Sequence, residues 1–385
     1  MRSSNLNDLK IALVYDRVNK FGGAERVIQQ LHQLFPKAPL YTLVYDPAKA
    51  TWASNIDVRP SFLNLPFLRS HHELLAPLAP LAFETFNFND FNLVISITSE
   101  SAKAVITKPN TLHVCYCLTP TRYLWSGRQE YLTHPGLGIL SPLVKRYLHK
   151  NIKKYQKNDL YLSHRPDHYI AISKEVQSRI KRYYHRPSSV IYPSINYDYF
   201  SRAPRLKRTH YLFVSRLVPY KKADLVIKAF AHPSLQSSNL IVVGSGSQSS
   251  SLKRQATHNV KFLSSVSDQQ LRRLYASSKA LIFPSYEDFG LVPLEAQACG
   301  TPVLAYNRGG ARETVIEGKT GLFFDKQNIK SLMTIIKTFE SGSHQVTSEA
   351  CRRQAKKFNQ QSFTSNFYNE VNSLYETYCH SRRSG

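Results

Sequence analysis

Short apolar runs alternate with amphipathic stretches along most of this sequence, and this alternation limits the available folds more than any other feature. The first run, residues 10–15, is followed by residues 24–34, in which apolar side chains recur at helical spacing. Continuous apolar runs of this length are typical of strands that are buried on both faces. The pattern predicts an α/β protein with parallel sheets covered by helices.

The alternation runs twice along the chain and changes character near residue 200. A stretch with Pro204 and four basic residues predicts a linker at residues 196–208, between domains at 1–195 and 209–360 and before a C-terminal helix at 361–385. Strands are predicted at 40–44, 93–97, 113–117, 168–172, 189–192, 211–214, 240–243, 260–263, 280–283 and 302–306. Helices are predicted at 174–184, 223–230, 268–276, 292–299, 311–316 and 360–378.

The composition is that of a folded chain with a strongly basic surface. Hydrophobic residues make up 42% and charged residues 20%, which excludes a disordered or collagen-like chain. The 51 Lys and Arg residues exceed the 26 Asp and Glu residues and give a net charge of +25. Such a surface attracts nucleic acid, acidic lipid headgroups or phosphorylated ligands. The charge concentrates within residues 145–186, where the alternative interpretation is a solvated helical face.

The cysteines and the apolar segments indicate a reducing compartment. The five cysteines have no spacing typical of a metal site or a disulfide framework, and Cys115 and Cys117 are predicted to be small buried thiols. Residues 1–16 contain no apolar run long enough to predict a signal peptide. No stretch approaches the length of a membrane-spanning helix. We expect a cytoplasmic protein that is at most peripheral to the inner face of the plasma membrane.

Two carboxylates mark the most informative segment of the second half. Glu287 lies in the loop after the predicted strand 280–283, and Glu295 lies one turn inside the following helix. The start of such a helix faces the carboxyl edge of the sheet, where open α/β folds bind ligands. Carboxylates at that edge suit sugar hydroxyls better than phosphate. The alternative is a solvated Glu287 and a Glu295 that only favours the start of the helix.

Basic and glycine-rich loops follow other predicted strands. Arg216 and Lys221 lie after strand 211–214, where a guanidinium and an ammonium group suit a diphosphate, although a solvated loop is the alternative. Gly22 and Gly23 open the first helix and allow a ligand to approach the backbone, or they form a simple tight turn. Residues 243–249 resemble the start of a dinucleotide-binding loop but lack its third glycine.

These segments together resemble the retaining glycosyltransferases of family 4, in their bacterial mannosyltransferase-like branch. The resemblance runs over nearly the whole chain and is strongest at residues 215–221, 259–271, 287–295, 300–303 and 309–310, with further matches at 22–26, 113–117 and 119–125. It implies the GT-B fold, in which two Rossmann-like doubly wound domains face each other across a cleft. The first would bind the acceptor and the second the nucleotide sugar.

The resemblance also implies a role for each residue. Arg216 and Lys221 would stabilise the diphosphate leaving group without a metal ion or other cofactor, and Glu287 would face the donor sugar. Glu295 would bind the ribose. The other donor-binding positions are Gly22, Gly23, Val266, Phe289, Gly290 and Leu291. The expected reaction moves a hexose such as mannose from a GDP or UDP sugar to a glycan or lipid-linked acceptor in cell-surface polysaccharide synthesis.

One departure from the family pattern keeps a second interpretation open. Leu118 stands where many relatives carry a histidine that contacts the donor sugar, and a leucine side chain cannot form that hydrogen bond. Thr119 or Arg122 would then contact the sugar or the acceptor instead, or the protein is a catalytically weak relative that binds a nucleotide sugar or a partner. A binder of nucleic acid or an anionic surface that uses only its charge is the third interpretation. We expect no nucleic-acid partner.

Overall fold

A computed structural model describes residues 6–70, 75–128, 141–342 and 345–383. The chain divides into two compact units: the first contains the residues up to Tyr192 and those from Phe363 onward, and the second contains Pro193–Ser362. Each unit has one sheet in which all the paired strands run parallel. The predicted fold class of two Rossmann-like parallel-sheet domains is confirmed.

The sheet of the first unit has the strand order β3-β2-β1-β4-β5-β6-β7. Its strands are β1 (Ile11–Tyr15), β2 (Leu40–Thr42), β3 (Val58–Pro60), β4 (Leu93–Thr98), β5 (Leu112–Cys117), β6 (His168–Ala171) and β7 (Ser189–Val190). The helices are α1 (Gly23–Leu34), α2 (Pro66–Ser70), α3 (Ala79–Glu84), α4 (Ser141–Leu162) and α5 (Lys174–Tyr184). The strand order reverses between β1 and β4, which are neighbours.

The sheet of the second unit has the order β10-β9-β8-β11-β12-β13 and reverses between β8 and β11. Its strands are β8 (His210–Val214), β9 (Asn239–Val243), β10 (Val260–Leu263), β11 (Ser278–Phe283), β12 (Val303–Tyr306) and β13 (Gly321–Phe324). The helices are α6 (Tyr197–Ser201), α7 (Ala223–Phe230), α8 (Ser249–Gln255), α9 (Asp268–Ala276), α10 (Leu291–Ala298), α11 (Ala311–Thr314), α12 (Ile329–Glu340) and α13 (Ser348–Lys356). The chain continues into α14 (Gln360–Arg383).

The central strands are buried along their whole length. Every residue of β1, β4 and β5 is buried, and β4 pairs with β5 in register from Leu93 with Leu112 to Thr98 with Cys117. Helices cover both faces of such a sheet, so its strands are mostly apolar, and the polar side chains of Ser96 and His113 within them bond to each other. Cys115 and Cys117 are buried free thiols, as predicted. No helix within the described ranges is both long and apolar enough to cross a bilayer.

The predicted linker differs from the structure at its start. Asn196 caps a short helix, α6, by accepting a hydrogen bond from the backbone of Tyr199. Phe200 of this helix is buried, its ring lies 6.0 Å from that of Tyr275, and its carbonyl accepts a bond from Cys299. Residues 197–201 are therefore part of the second unit rather than a connection, because one buried phenylalanine anchors them there.

The C-terminal helix contributes to the core of the first unit. Phe363 and Phe367 of α14 are buried against Tyr116 of β5, with ring centroids 6.1 and 5.4 Å away. Tyr378 also donates a hydrogen bond to the carbonyl of Pro109. The first unit is therefore built from two separate stretches of the sequence.

Stability of the first unit should depend on pH through His113. Burial lowers the pKa of this side chain from 6.5 to about 3, and its Nε2 lies 2.8 Å from the hydroxyl of Ser96. Because the pKa is lower in the folded state, protons bind preferentially to the unfolded chain below pH 6.5. We expect the free energy of unfolding to fall by about 2–3 kcal/mol between pH 7 and 4.5 through this group.

Chemical denaturation of the wild type and of His113→Gln across this pH range measures the effect. The variant lacks the titrating ring, so its stability should change less with pH than that of the wild type. Equal pH dependence of the two proteins would contradict the expectation.

Candidate functional site

The strand reversal of the second sheet brings three predicted site residues together. Arg216 and Lys221 lie in the loop after β8, and Glu287 lies in the loop after β11, the neighbouring strand. Loops at the carboxyl ends of parallel strands meet at one edge of the sheet, and a reversal of strand order opens a crevice between them. The second unit thus places these charged side chains where α/β folds bind ligands.

An ion pair joins the two loops. The Nζ atom of Lys221 donates a hydrogen bond to Oε1 of Glu287, and the side chains are 13% and 18% exposed. Nη2 of the exposed Arg216 donates to the hydroxyl of Tyr220 at 2.6 Å, and Lys221 Nζ lies 5.0 Å from the centre of the same ring. The tyrosine therefore holds two cations beside each other, an arrangement suited to an anion with several oxygens.

The loop that carries Arg216 is held by the glycines after β9. The backbone of Leu217 donates to the carbonyl of Ser245 at 2.8 Å. A Cβ on Gly244, where φ is +137°, would lie 1.9 Å from the carbonyl oxygen of Ser215. The segment 243–249, which resembles the start of a dinucleotide-binding loop, packs its backbone closely against that of the loop after β8.

The loop that carries Glu287 is held by two glycines after β12. The backbone N–H of Gly310 donates to the carbonyl of Glu287 at 2.9 Å. Gly309 has a φ of +67°, and a Cβ at this position would lie 2.4 Å from the same carbonyl oxygen. Both glycines are needed for the backbone approach that fixes the position of Glu287.

The predicted donor-binding positions around the start of α10 differ in their exposure. Gly290 precedes the helix with a φ of +101°, and Leu291 begins it half-buried. Phe289 is buried and packs against Phe358 at 5.7 Å. Val266, in the loop before α9, is half-buried. Leu291 and Val266 are therefore partly accessible, whereas the Phe289 side chain belongs to the core.

Glu295 is held inside the second unit. Its side chain is buried, and Oε2 accepts a hydrogen bond from the hydroxyl of Tyr275 at 3.0 Å. Burial, together with the nearby Glu295 carboxylate, raises the pKa of Cys299 to about 12. The structure gives this carboxylate a partner from α9, and its contact with a ribose stays a prediction.

The predicted glycine loop of the first unit precedes a buried carboxylate. Gly22 lies just before α1, which begins at Gly23. Glu25, in the first turn, is buried and accepts a hydrogen bond from the hydroxyl of Tyr15 at 2.7 Å. A Cβ on Gly22 would approach the same carboxylate to 3.2 Å. The small residue at this position leaves room for the Glu25 side chain.

The loop after β5 carries the remaining predicted contacts. Thr119 is buried, and its hydroxyl accepts a hydrogen bond from Arg179 at 3.3 Å. Arg122 is half-buried, and its carbonyl accepts a hydrogen bond from the backbone of Gly127. Leu118 is half-buried, with its backbone N–H bonded to Thr98. Arg122 is therefore more accessible to a substrate than Thr119.

No metal site is evident in the part of the chain that the structure describes, since no three His, Cys, Asp or Glu side chains there are arranged to hold an ion.

Comparison with known proteins identifies the second unit. Residues 197–358 match the family model described as glycosyl transferases group 1. A GDP-mannose-dependent monoacylated alpha-(1-6)-phosphatidylinositol monomannoside mannosyltransferase of Corynebacterium glutamicum is 39% identical over 138 residues, which cover 32% of this chain and 35% of that relative. A D-inositol 3-phosphate glycosyltransferase of Streptomyces avermitilis is 30% identical over 204 residues, covering 45% and 44%. Both alignments span less than half of the relative's length.

Residues 197–358, less than half of the chain, are therefore similar to the group 1 glycosyl transferases. The family resemblance predicted from the sequence is confirmed at this level. Over the whole chain, the structure is similar to that of Anabaena HepE in complex with UDP and glucose, with a TM-score of 0.69, 21% identity and coverage of 95% of this chain and 100% of that one. This similarity shows the shared GT-B fold.

Sequence reasoning missed two tyrosines of the second unit. Tyr220 contacts both Arg216 and Lys221, and Tyr275 donates to Glu295. Tyr220 lies between Arg216 and Lys221 in the sequence, and this position could have indicated its contact with them. Tyr275 offered none, because it is 20 residues from its partner in the sequence.

Gly309→Ala should disturb the loop that carries Glu287, and Gly318→Ala is its matched control. The two glycines have φ values of +67° and +70°, but only Gly309 has a backbone oxygen within 2.4 Å of the added Cβ, since nothing lies within 4 Å at Gly318. Both variants carry the cost of a left-handed alanine, about 1–2 kcal/mol. Gly309→Ala should lose a further ~1–3 kcal/mol, because its methyl group overpacks the Glu287 loop. Equal free energies of unfolding for the two variants would contradict this account.

Proposed function

We propose that this chain is a retaining hexosyltransferase that moves mannose or a similar hexose from a GDP or UDP sugar to a glycan or lipid-linked acceptor. The joined Arg216, Lys221 and Glu287 side chains at the strand reversal of the second sheet carry this proposal. They offer two cations to a diphosphate and a carboxylate to sugar hydroxyls within one group of contacts. The Corynebacterium relative is a GDP-mannose-dependent mannosyltransferase, which supports mannose as the transferred sugar.

The proposed mechanism stabilises a leaving group and needs no protein nucleophile. The bond between the anomeric carbon and the diphosphate oxygen breaks, and both bonding electrons stay on the diphosphate, where Arg216 and Lys221 offset the added negative charge. An acceptor hydroxyl then bonds to the anomeric carbon on the same face, and its proton passes to the departing phosphate oxygen. Glu287 orients the donor sugar, and the reaction proceeds without a metal ion.

A catalytically weak relative is the second candidate, and Leu118 is the residue that favours it. The side chain is half-buried and has no polar atom to offer a donor sugar. In this case nucleotide sugars bind the second unit without being turned over, so binding and turnover must be measured separately.

Arg216→Ala and Lys221→Ala should each weaken nucleotide binding about 30-fold. Each substitution removes a charge-assisted hydrogen bond to the diphosphate, which contributes about 2 kcal/mol. The thermal shift of the full chain with GDP, UDP and their sugars measures this loss, because a ligand that binds the folded state raises its apparent stability.

Lys228→Ala is the control for the removal of positive charge. Lys228 lies on α7, its side chain is 52% exposed, and its ammonium group lies 3.9 Å from Asp224. Its variant should keep the wild-type nucleotide shift. A wild type that is not stabilised by any of these nucleotides would overturn the proposed function and favour a charge-driven surface binder.

We further propose that the first unit binds an anionic membrane surface through residues 145–186. Helix α4 carries five exposed basic side chains at helical spacing: Arg146, Lys150, Lys153, Lys154 and Lys157. Near the end of the same helix lies Tyr161, which is 67% exposed. Arg165 lies 5.9 Å from the Tyr161 ring and pairs with Glu84 of α3. Lys145 and residues 147–149, also in this segment, lie outside the side chains that the structure describes.

Apolar side chains exposed elsewhere in the first unit support the same partner. Five phenylalanine and leucine side chains within residues 62–81 are at least 49% exposed: Phe62, Leu65, Phe67, Leu78 and Leu81. Leu78 and Leu81 lie at α3, which ends at Glu84. Glu84 pairs with Arg165, and this ion pair connects α3 to the residues just after the basic helix α4. Apolar side chains that enter the interface and cations that face lipid phosphates are the two components of peripheral membrane binding.

Removal of three cations from α4 should weaken binding to vesicles that contain phosphatidylglycerol. We expect about 100-fold weaker binding for Lys150→Gln/Lys153→Gln/Lys157→Gln, since each cation near an anionic surface contributes about 1 kcal/mol. The control with the same net charge is Lys326→Gln/Lys330→Gln/Lys337→Gln in the second unit, where all three side chains are exposed. Equal sedimentation of both variants with the vesicles would show that net charge, not this helix, determines binding.

A further inference from the structure

The strand reversal of the first sheet also carries an ion pair, and neither of its residues was among the predicted site residues. Arg17 follows β1 by two residues, and Glu100 follows the neighbouring β4 by two residues. Nη1 of Arg17 lies 2.6 Å from both carboxylate oxygens of Glu100, and the side chains are 17% and 30% exposed. The pair occupies the position in the first sheet that Lys221 and Glu287 occupy in the second.

The loop that presents Glu100 is fixed through its backbone. The buried carboxylate of Asp16 accepts hydrogen bonds from the backbone N–H groups of Ser99, Ser101 and Ala102 at 2.7–2.9 Å. It also accepts one from the hydroxyl of Thr98 at 2.8 Å. These bonds hold the residues on both sides of Glu100 and do not involve its carboxylate.

A buried ion pair also holds the loop that carries Glu100. Lys103 donates to the carbonyl of Glu100 and pairs with Asp159 at 2.7 Å, and both side chains are buried. Burial would lower the pKa of Lys103, but the Asp159 carboxylate outweighs it, and the pKa is raised. Asp159 also accepts hydrogen bonds from Thr121 and Trp125, both at 2.7 Å. One carboxylate from α4 thus connects the loops after β4 and β5.

The loop that carries Glu100 is held by the backbone contacts of Asp16 and Lys103 in addition to the Arg17–Glu100 pair. The Glu100 side chain is partly exposed at 30%. Nε of Arg17 is buried and has no hydrogen-bond partner among the described residues, so part of the guanidinium's donor capacity is unused there. Polar side chains fixed in advance by surrounding contacts are typical of binding sites.

We propose that Arg17 and Glu100 bind two neighbouring hydroxyl groups of a neutral acceptor sugar. The carboxylate accepts a hydrogen bond from one hydroxyl, and the guanidinium donates to the other. The two charges cancel, so the pair favours an uncharged diol over a phosphate, which Glu100 would repel. This assignment rests on the proposed function, because it gives the first unit the acceptor of the same transfer reaction.

Binding of small neutral sugars to the full chain tests this assignment. Methyl α-D-mannopyranoside and myo-inositol are titrated against the wild type, Arg17→Met and Glu100→Gln, with binding followed by saturation-transfer NMR. We expect at least one of the two probes to bind the wild type and to bind each variant at least 10-fold more weakly. If Arg17→Met does not fold, Arg17→Lys, which keeps the charge but loses the planar guanidinium, is measured in the same way.

Glu84→Gln is the matched control. The Arg165–Glu84 pair lies in the same unit, with a distance of 2.8 Å and exposures of 23% and 28%, close to those of Arg17 and Glu100. Its variant should lose a similar amount of stability and keep the wild-type affinity for the probes. Both residues of the control pair lie outside the loops at the strand reversal.

Three results would overturn the proposal. The first is the absence of binding of either probe to the wild type, and the second is undiminished binding to both variants. The third is tighter binding of D-mannose 6-phosphate than of the neutral probes, increased further by Glu100→Gln, which would indicate a phosphate site. Stabilisation by GDP or UDP is measured on the same proteins, so failure of this acceptor site is distinguishable from failure of the proposed function.

Discussion

Burial of both faces of each parallel sheet is the constraint on which the rest of this structure depends. Helices cover the faces, so a ligand can reach the strands only at their ends. The strand order reverses once in each sheet, between β1 and β4 and between β8 and β11. The position of the charged loops at both reversals follows from the burial of the sheet faces.

Both reversals contain an ion pair between neighbouring loops, and the second unit adds Arg216 as a further cation. At each, a cation from one loop pairs with a glutamate from the next, and a second set of contacts holds the loops in place. In the second unit these contacts are backbone approaches at Gly244 and Gly309, whereas in the first they are the buried carboxylates of Asp16 and Asp159. Charged side chains can remain available to a ligand in both units because other groups stabilise the loops.

The sequence predicted those features that are encoded locally. Strands β1, β4 and β5 are long apolar runs, and Arg216, Lys221 and Glu287 each follow such a run, so their meeting at one edge could be expected. The short strands β3 and β13 were missed, because β3 contains Arg59 and Pro60 and β13 begins at Gly321, and proline and glycine are depleted in strands. The pair Arg17–Glu100 was missed because its members are 83 residues apart, and neither residue type is unusual in a loop.

The division of the first unit between both ends of the chain affects how the protein is made. Tyr116 is packed by Phe363 and Phe367, which the ribosome adds only after the whole second unit. Domains usually fold in order during synthesis. Here part of the aromatic core of the first unit stays uncovered until the second unit has left the exit tunnel. Apolar surface that is exposed in this way makes a nascent chain prone to aggregation for as long as translation of the second unit lasts.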